Sequence, residues 1–190
     1  MPSRKALLFF SMLSAAPIAA ADEFALTVLA GQSTRNHWED FFISPDSLDF
    51  ASSSLLLGAL STPLARYRDN ALTLEFEGQV AKHFGDQTHW EVNAPLVTRW
   101  HRFPWNRTVA TTAAFGVGPS WSSRTPPLEV EIDGDSQPWL IHWFMEVTLG
   151  PPDTEWSAAL RLHHRSTGFG LMGDSGGLNT LTIGVRRTFD

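Results

Sequence analysis

Strict alternation of apolar and polar residues over 88–101 is the feature that most limits the fold of this chain. One face of this segment would carry Trp90, Val92, Ala94, Leu96, Thr98 and Trp100, and the other His89, Glu91, Asn93, Arg99 and His101. Side chains alternate between two faces in a β-strand. About ten residue steps span roughly 33 Å, and at a tilt of about 40° they rise through roughly 25 Å, the apolar height of an outer-membrane barrel. The spacing therefore predicts a spanning strand with one Trp in each interfacial girdle.

Seven further segments show the same alternation, separated by clusters of Gly, Pro, Asn, Asp and Ser. The eight predicted strands lie near 23–31, 48–60, 72–84, 88–101, 109–118, 138–149, 155–166 and 179–189. The connections near 32–47, 119–137 and 167–178 are long, whereas 150–154 is tight. We predict an all-β protein, an eight-stranded antiparallel outer-membrane β-barrel. A soluble β-sandwich with the Trp residues inside also explains the alternation, but it does not explain paired Trp at membrane spacing.

The first residues have the pattern of an export signal. Arg4 and Lys5 precede an apolar stretch over 6–20, and small residues at 19–21 provide a cleavage site. The stretch is shorter than the roughly 20 residues that a spanning helix needs, although a retained anchor helix is the alternative. We predict a signal peptide over 1–21, a barrel over 22–190, and a location in the bacterial outer membrane.

Composition excludes several function classes. The formal net charge is −6, and Lys5 and Lys82 are the only lysines, so the chain lacks the basic surplus of a nucleic-acid binder. Because there is no Cys, a disulfide scaffold, a thiolate zinc site and a Cys nucleophile are excluded together.

An eight-stranded barrel has an interior just wide enough for side chains. We therefore predict a packed ionic core rather than a pore or a carboxylate active site, formed by Glu75, Glu77, Glu91, Glu146, Arg99 and Arg161.

The candidate site lies at the end of the seventh strand. Alternation places His164 and Ser166 on the lipid face, where polar groups are costly unless they are paired or functional. Residues two apart on one strand face are neighbours, so a His can take the Ser proton and prepare an oxygen nucleophile. Asn179 has the same outward parity on the adjacent eighth strand, where its amide could orient the imidazole. With periplasmic termini this cluster lies at the level of the outer leaflet.

The motif His164-x-Ser166, followed by a Gly-rich loop and an Asn179-x-Leu strand, resembles the outer-membrane lipid A 3-O-deacylases, the PagL-like family. The His-His-Arg-Ser form resembles members known as lipid A deacylases or acyloxyacyl hydrolases, and the segments 74–90 and 99–106 share this likeness. The resemblance implies an eight-stranded barrel that hydrolyses an acyl ester of lipid A with a His-x-Ser pair on its outer wall. It also implies that no cofactor takes part.

Two positions depart from the family pattern. Asn179 stands where characterised members have Glu, and a neutral amide stabilises imidazolium less than a carboxylate does. Thr167 replaces the Asn that usually follows the motif Ser, which removes one expected oxyanion donor. We predict that the oxyanion and substrate-binding site is formed around Thr167, Gly168 and Gly170, with backbone N–H groups as donors.

Other motifs carry no predicted chemistry. Adjacent His163 and His164 point to opposite strand faces and would chelate poorly, so we predict no metal site. The segment 173–177 resembles the nucleophile loop of chymotrypsin-type proteases, but only 15 residues follow Ser175 and 111–115 contains no His. We interpret it as an extracellular loop.

Two functions remain open from the sequence. The first is a lipid A ester hydrolase whose partners are lipopolysaccharide and the surrounding outer-membrane lipids. The second is a non-catalytic barrel that acts structurally or binds a surface partner through its long loops. Acyl transfer onto lipid A is a third, more distant alternative. The choice between a monomer and a homodimer also stays open.

Overall fold

The structure, a computed structural model, describes residues 23–189, so the predicted signal peptide over 1–21 lies outside the described residues. Within residues 23–189, nine antiparallel strands and two α-helices follow one another. Their bounds are β1 Phe24–Thr34, α1 Asp40–Ile43, β2 Phe50–Tyr67, β3 Leu72–Gly85, β4 Trp90–Asn93, β5 Leu96–Trp100, β6 Ala110–Ser122, α2 Pro127–Asp133, β7 Trp139–Gly150, β8 Trp156–Ser166 and β9 Gly177–Phe189. A 3-10 turn, Pro45–Ser47, follows α1. No helix among residues 23–189 is long and apolar enough to cross a membrane.

The strands close into a ring with eight wall positions. Strands β4 and β5 together occupy one position, because both pair with β3 on one side and with β6 on the other. The ring closes where β1 pairs with β9 along its whole length, from Phe24 opposite Phe189 to Thr34 opposite Asn179. The interruption in the fourth predicted strand falls at Ala94–Pro95, where Pro95 has no N–H to donate to a ladder. The eight-stranded barrel is confirmed, with one strand divided in two.

The outer wall is apolar between two aromatic belts. Large side chains of alternate residues are exposed along the strands, for example Phe76, Val80, Leu96, Phe115, Val147 and Ile183. Trp90, Trp121 and Trp139 lie towards one end, and Trp100, Trp105 and Trp156 lie towards the other. An apolar band flanked by Trp is the surface of a barrel that contacts lipid, so the faces predicted from alternation are confirmed.

The lumen contains a buried ionic network. Arg161 lies 2.8 Å from Glu77 and 2.7 Å from Glu146. Arg99 lies 2.9 Å from Glu75 and 3.0 Å from Glu146. This confirms the packed ionic core, with two differences in its members.

The two differences concern Arg186 and Glu91. Arg186 joins the network, 3.3 Å from Glu75, although the sequence analysis did not include it. Glu91 lies outside the network, and its carboxylate contacts His83 and His163 instead. The ionic core therefore fills the middle of the barrel, and a second polar cluster lies beside it around Glu91.

The two ends of the barrel differ. Both ends of the described chain and the shorter β2–β3 and β7–β8 connections lie at one end, where exposed Arg187 pairs with Glu155 at 2.9 Å. The three long connections, 35–49, 123–138 and 167–176, lie at the other end together with 86–89. Helix α2 is anchored over this second end by Leu128, which is buried against Ala51 and Leu178.

Candidate active site on the outer wall

The candidate site is a row of side chains on the outer wall at the long-loop end. Trp143, His164, Asn179 and Thr34 stand directly opposite one another on the neighbouring strands β7, β8, β9 and β1. Leu160 and Ile183 lie on the same strand faces as His164 and Asn179, respectively, and both are exposed on the outer wall. His164 and Asn179 themselves are only 9% and 5% exposed. At this height, neighbouring side chains and the loops cover them in place of lipid.

The predicted orienting residue holds the predicted base. His164 Nδ1 lies 2.7 Å from Asn179 Oδ1. Asn179 Nδ2 donates to the carbonyl oxygen of Asn36 at 2.9 Å, and this contact fixes the amide because a carbonyl only accepts. Oδ1 must then face the imidazole, so Nδ1 carries the proton and donates it. The tautomer leaves His164 Nε2 unprotonated, as a general base requires.

Ser166 lies two residues further along the same face, at the last position of β8. Gly177 stands opposite it on β9, so no side chain of that strand covers the hydroxyl. Ser166 Oγ accepts a hydrogen bond from Gly168 N at 3.4 Å. Among the hydrogen bonds of the described residues, none joins Ser166 Oγ to His164. The three predicted catalytic residues thus share one outward patch, with the base and orienter in contact and the nucleophile beside them.

A left-handed turn follows the Ser. Gly168, Phe169 and Gly170 have φ of 62°, 61° and 85° in succession. A Cβ on Gly168 would lie 2.5 Å from Ile141 Cγ1, so close packing as well as φ favours glycine there. This turn directs Gly168 N towards the Ser hydroxyl, whereas Gly170 N donates to Thr167 Oγ1 at 3.3 Å. Of the three predicted oxyanion residues, Gly168 is the one whose N–H contacts the hydroxyl of Ser166, the predicted nucleophile.

An aromatic cover packs over the base. The Trp143 ring lies 4.4 Å from the His164 ring, centroid to centroid, and Trp38 packs edge-on against Trp143 at 5.7 Å. Trp38 belongs to the connection 35–49, which folds down over the wall and also supplies the Asn36 carbonyl. Neither Asn36 nor Trp38 is predicted from the sequence to be part of the site. Their loop has no periodic pattern, so only the fold shows which wall it covers.

Large apolar side chains surround this patch at the membrane end of the loops. Phe42 and Ile43 in α1 are 62% and 74% exposed, and Phe169 and Leu171 in the turn after Ser166 are more exposed still. Exposed apolar groups of this size are unfavourable in water and favourable against acyl chains. The patch is therefore flanked by loops suited to contact with lipid.

Comparison with known proteins identifies the fold. The crystal structure of the outer membrane enzyme PagL matches with a TM-score of 0.63 and 11% identity, over 86% of this chain and 98% of that chain. The crystal structure of Neisserial surface protein A (NspA) matches with a TM-score of 0.47 and 13% identity, over 88% of this chain and 97% of that chain. No family model matches the sequence, and no curated protein does. The likeness to PagL confirms the outer-membrane barrel fold.

Proposed function

We propose that the chain is an outer-membrane ester hydrolase that removes an acyl chain from lipid A, the lipid part of lipopolysaccharide. The observation that carries this proposal is the contact of His164 with Asn179 at 2.7 Å on the lipid-facing wall, beside Ser166. On a wall that carries mainly apolar side chains, a buried, oriented imidazole next to a hydroxyl supplies the two groups that acyl transfer requires. The fold shared with an outer membrane enzyme supports the same function.

The residues have complementary roles in acyl transfer. His164 Nε2 accepts the proton of Ser166 Oγ as the oxygen attacks the ester carbonyl, and the C–O bond to the alcohol then breaks. The protonated imidazole returns its proton to the leaving alkoxide. A water molecule, activated by the same nitrogen, next attacks the acyl-Ser166 ester and releases a fatty acid. Gly168 N–H lies beside Oγ and is placed to donate to the oxyanion formed there.

The position of the site limits the class of substrate. The site faces outward at the long-loop end and lies between exposed apolar loops rather than in the lumen. Its substrate must therefore present an ester at the boundary between head group and acyl chains of the outer leaflet. Lipid A satisfies this requirement, because some of its acyl chains are ester-linked to a sugar that lies at this level.

The direct test is a mass spectrum of lipid A from cells that express the chain, compared with cells that carry the empty vector. We expect new lipid A that is lighter by one acyl or hydroxyacyl group, and fragmentation would locate the ester that was cleaved. Lipid A that is unchanged, although the barrel is folded and in the membrane, would contradict the proposal.

Asn179→Ala should lower the deacylation rate without abolishing it. The substitution removes the acceptor that fixes the Nδ1–H tautomer and orients the ring. Because Trp143 still packs on the ring and Asn179 carries no charge, we expect a loss in kcat smaller than the roughly 10⁴-fold that removal of an orienting triad carboxylate costs. The rate would be measured with purified protein in mixed micelles. A rate equal to that of the wild type would show that Asn179 has no positioning role.

A non-catalytic barrel is the second candidate function. The observation that favours it is that Ser166 Oγ is bonded to Gly168 N rather than to His164. In this case the cluster would anchor the connection 35–49 to the wall through Asn36, and the long loops would bind a surface partner. Wild-type and vector cells would then have identical lipid A.

A further inference from the structure

A second group of unusual residues lies inside the barrel, on the opposite face of the wall. His83, His89, Glu91, His142 and His163 converge near the long-loop end, and we call them the lumen histidine cluster. They come from β3, the connection 86–89, β4, β7 and β8. All five are buried, with exposed fractions of 2% or less. Four imidazoles and one carboxylate therefore share one small, enclosed volume.

The cluster consists of two triads that share Glu91. The donor atoms of Glu91, His142 and His163 all lie within 4.8 Å of one another, and so do those of His83, His89 and Glu91. The Glu91 carboxylate separates the two triads, with Oε1 lying 2.8 Å from His163 Nε2 and Oε2 lying 2.9 Å from His83 Nε2. Zinc holds nitrogen and oxygen ligands at about 2.0–2.2 Å, so ligand atoms of one ion lie about 3–4 Å apart. Ligation of one ion by His163 Nε2 and Glu91 Oε1 would replace the hydrogen bond between them and would need small side-chain shifts to reach that spacing.

Hydrogen bonding within the protein leaves several of these nitrogens unsatisfied. In the described chain His142 Nε2, His163 Nδ1 and both ring nitrogens of His89 are buried with no hydrogen-bond partner. A buried polar atom without a hydrogen-bond partner destabilises the folded state. These nitrogens lie together in one enclosed volume, and those without a proton have a lone pair available to a ligand.

His142 has the arrangement of a metal ligand. Its Nδ1 lies 3.0 Å from the carbonyl oxygen of His164, and because a carbonyl only accepts, Nδ1 carries the proton. His142 Nε2 is then unprotonated and has a free lone pair within the cluster. Metal-bound histidines almost always donate their second ring N–H in this way, which fixes both tautomer and ring orientation. The carbonyl that orients His142 thus belongs to the residue proposed as the catalytic base on the outside of the wall.

We propose that the lumen histidine cluster binds one divalent transition-metal ion of the zinc class, with Glu91, His142 and His163 as its protein ligands. Imidazole with a carboxylate suits zinc and its transition-metal neighbours, whereas calcium and magnesium prefer oxygen ligands alone. Arg165 lies close by, but its charge is offset by Glu129 at 3.0 Å. The site would fasten β4 to β7 and β8 across the lumen. It is independent of the proposed hydrolase.

The sequence analysis predicts no metal site, and the reason lies in the spacing of the ligands. Glu91, His142 and His163 are far apart along the chain and belong to three separate strands. Only closure of the barrel brings them together. The one short His spacing in the sequence is the adjacent pair His163 and His164, which point to opposite faces.

The test measures metal in the folded protein. Wild-type barrel is refolded into detergent micelles with Zn²⁺, freed of unbound metal by dialysis, and assayed by mass spectrometry for zinc. We expect about one Zn²⁺ per chain, and with Co²⁺ in its place we expect the intense visible absorption of four- or five-coordinate cobalt. A wild-type protein that retains no zinc and shows no such cobalt spectrum would overturn the proposal.

Variants identify the ligands. Glu91→Gln and His142→Gln should reduce the retained zinc at least about tenfold, whereas His37→Gln, in the connection 35–49, should retain it in full. Heat-modifiable gel mobility shows which variants are folded, and only those are compared. If all folded proteins, wild type and variants alike, retain the same amount of zinc per chain, the zinc is adventitiously bound and the proposal is overturned. If neither cluster variant folds, the wild-type cobalt spectrum alone decides.

Discussion

Cells that express Ser166→Ala should retain lipid A of full mass, whereas cells that express the wild-type chain produce the lighter, deacylated form. The alanine removes the oxygen that would form the acyl intermediate but leaves the contact between His164 and Asn179 intact. Loss of the nucleophile from such a constellation costs at least about 10³-fold in rate, so we expect no detectable product during growth. The measurement is the mass spectrum of lipid A, supported by the rate of fatty-acid release from purified protein.

Ser157→Ala is the matched control for this prediction. Ser157 lies near the other end of the same strand, far from the loop that follows Ser166. Its replacement by Ala likewise removes one serine hydroxyl group. We expect its activity to equal that of the wild type. Undiminished deacylation by a folded Ser166→Ala barrel would refute the nucleophile assignment. Loss of activity in both variants would indicate a general effect of serine removal on the barrel.

Arg161→Met should cause the largest loss of stability of any single change considered. The guanidinium is fully buried, joins Glu77 and Glu146, and lies 3.8 Å from the centre of the Phe144 ring. Methionine preserves most of the apolar stem but leaves two buried carboxylates without their shared cation. Removal of one partner from a buried ion pair typically costs about 3–5 kcal/mol. Urea unfolding in detergent micelles, followed by Trp fluorescence, would measure the decrease in the free energy of unfolding.

Arg187→Met is the corresponding control. Arg187 forms an ion pair with Glu155 at 2.9 Å, but the two side chains are 38% and 54% exposed. Exposed pairs contribute about 0–1 kcal/mol, so this variant should remain close to the wild type. Equal losses for the two variants would mean that the lumen is hydrated enough to solvate Glu77 and Glu146. In that case burial of the network would contribute little to its stabilising effect.

Alternation along each strand was sufficient to predict which side chains face lipid and which face the lumen. The period of two is a property of the backbone, so Glu77 and Arg161 had to point inward once the strands were recognised. The outward positions of His164 and Asn179 follow from the same rule. Their contact follows from register, because an antiparallel pair places opposite residues side by side.

Contacts across the lumen and from the loops could not be predicted in this way. Glu91 was expected among the arginines, but the tilt of the strands brings it level with His83 and His163 instead. The tilt and stagger of a closed barrel are collective quantities that no single segment encodes. Asn36 belongs to an aperiodic connection whose path over the wall depends on packing by Trp38 against Trp143.

Placement of the proposed nucleophile on the outer wall changes how its kinetics must be described. A substrate that reaches Ser166 approaches by lateral diffusion within the leaflet, so the encounter takes place in two dimensions. The relevant concentration is then the mole fraction of substrate among the surrounding amphiphiles and not its amount per litre. Inert detergent added at constant total substrate dilutes this surface and slows the reaction, and rates are comparable only at a fixed ratio of substrate to detergent.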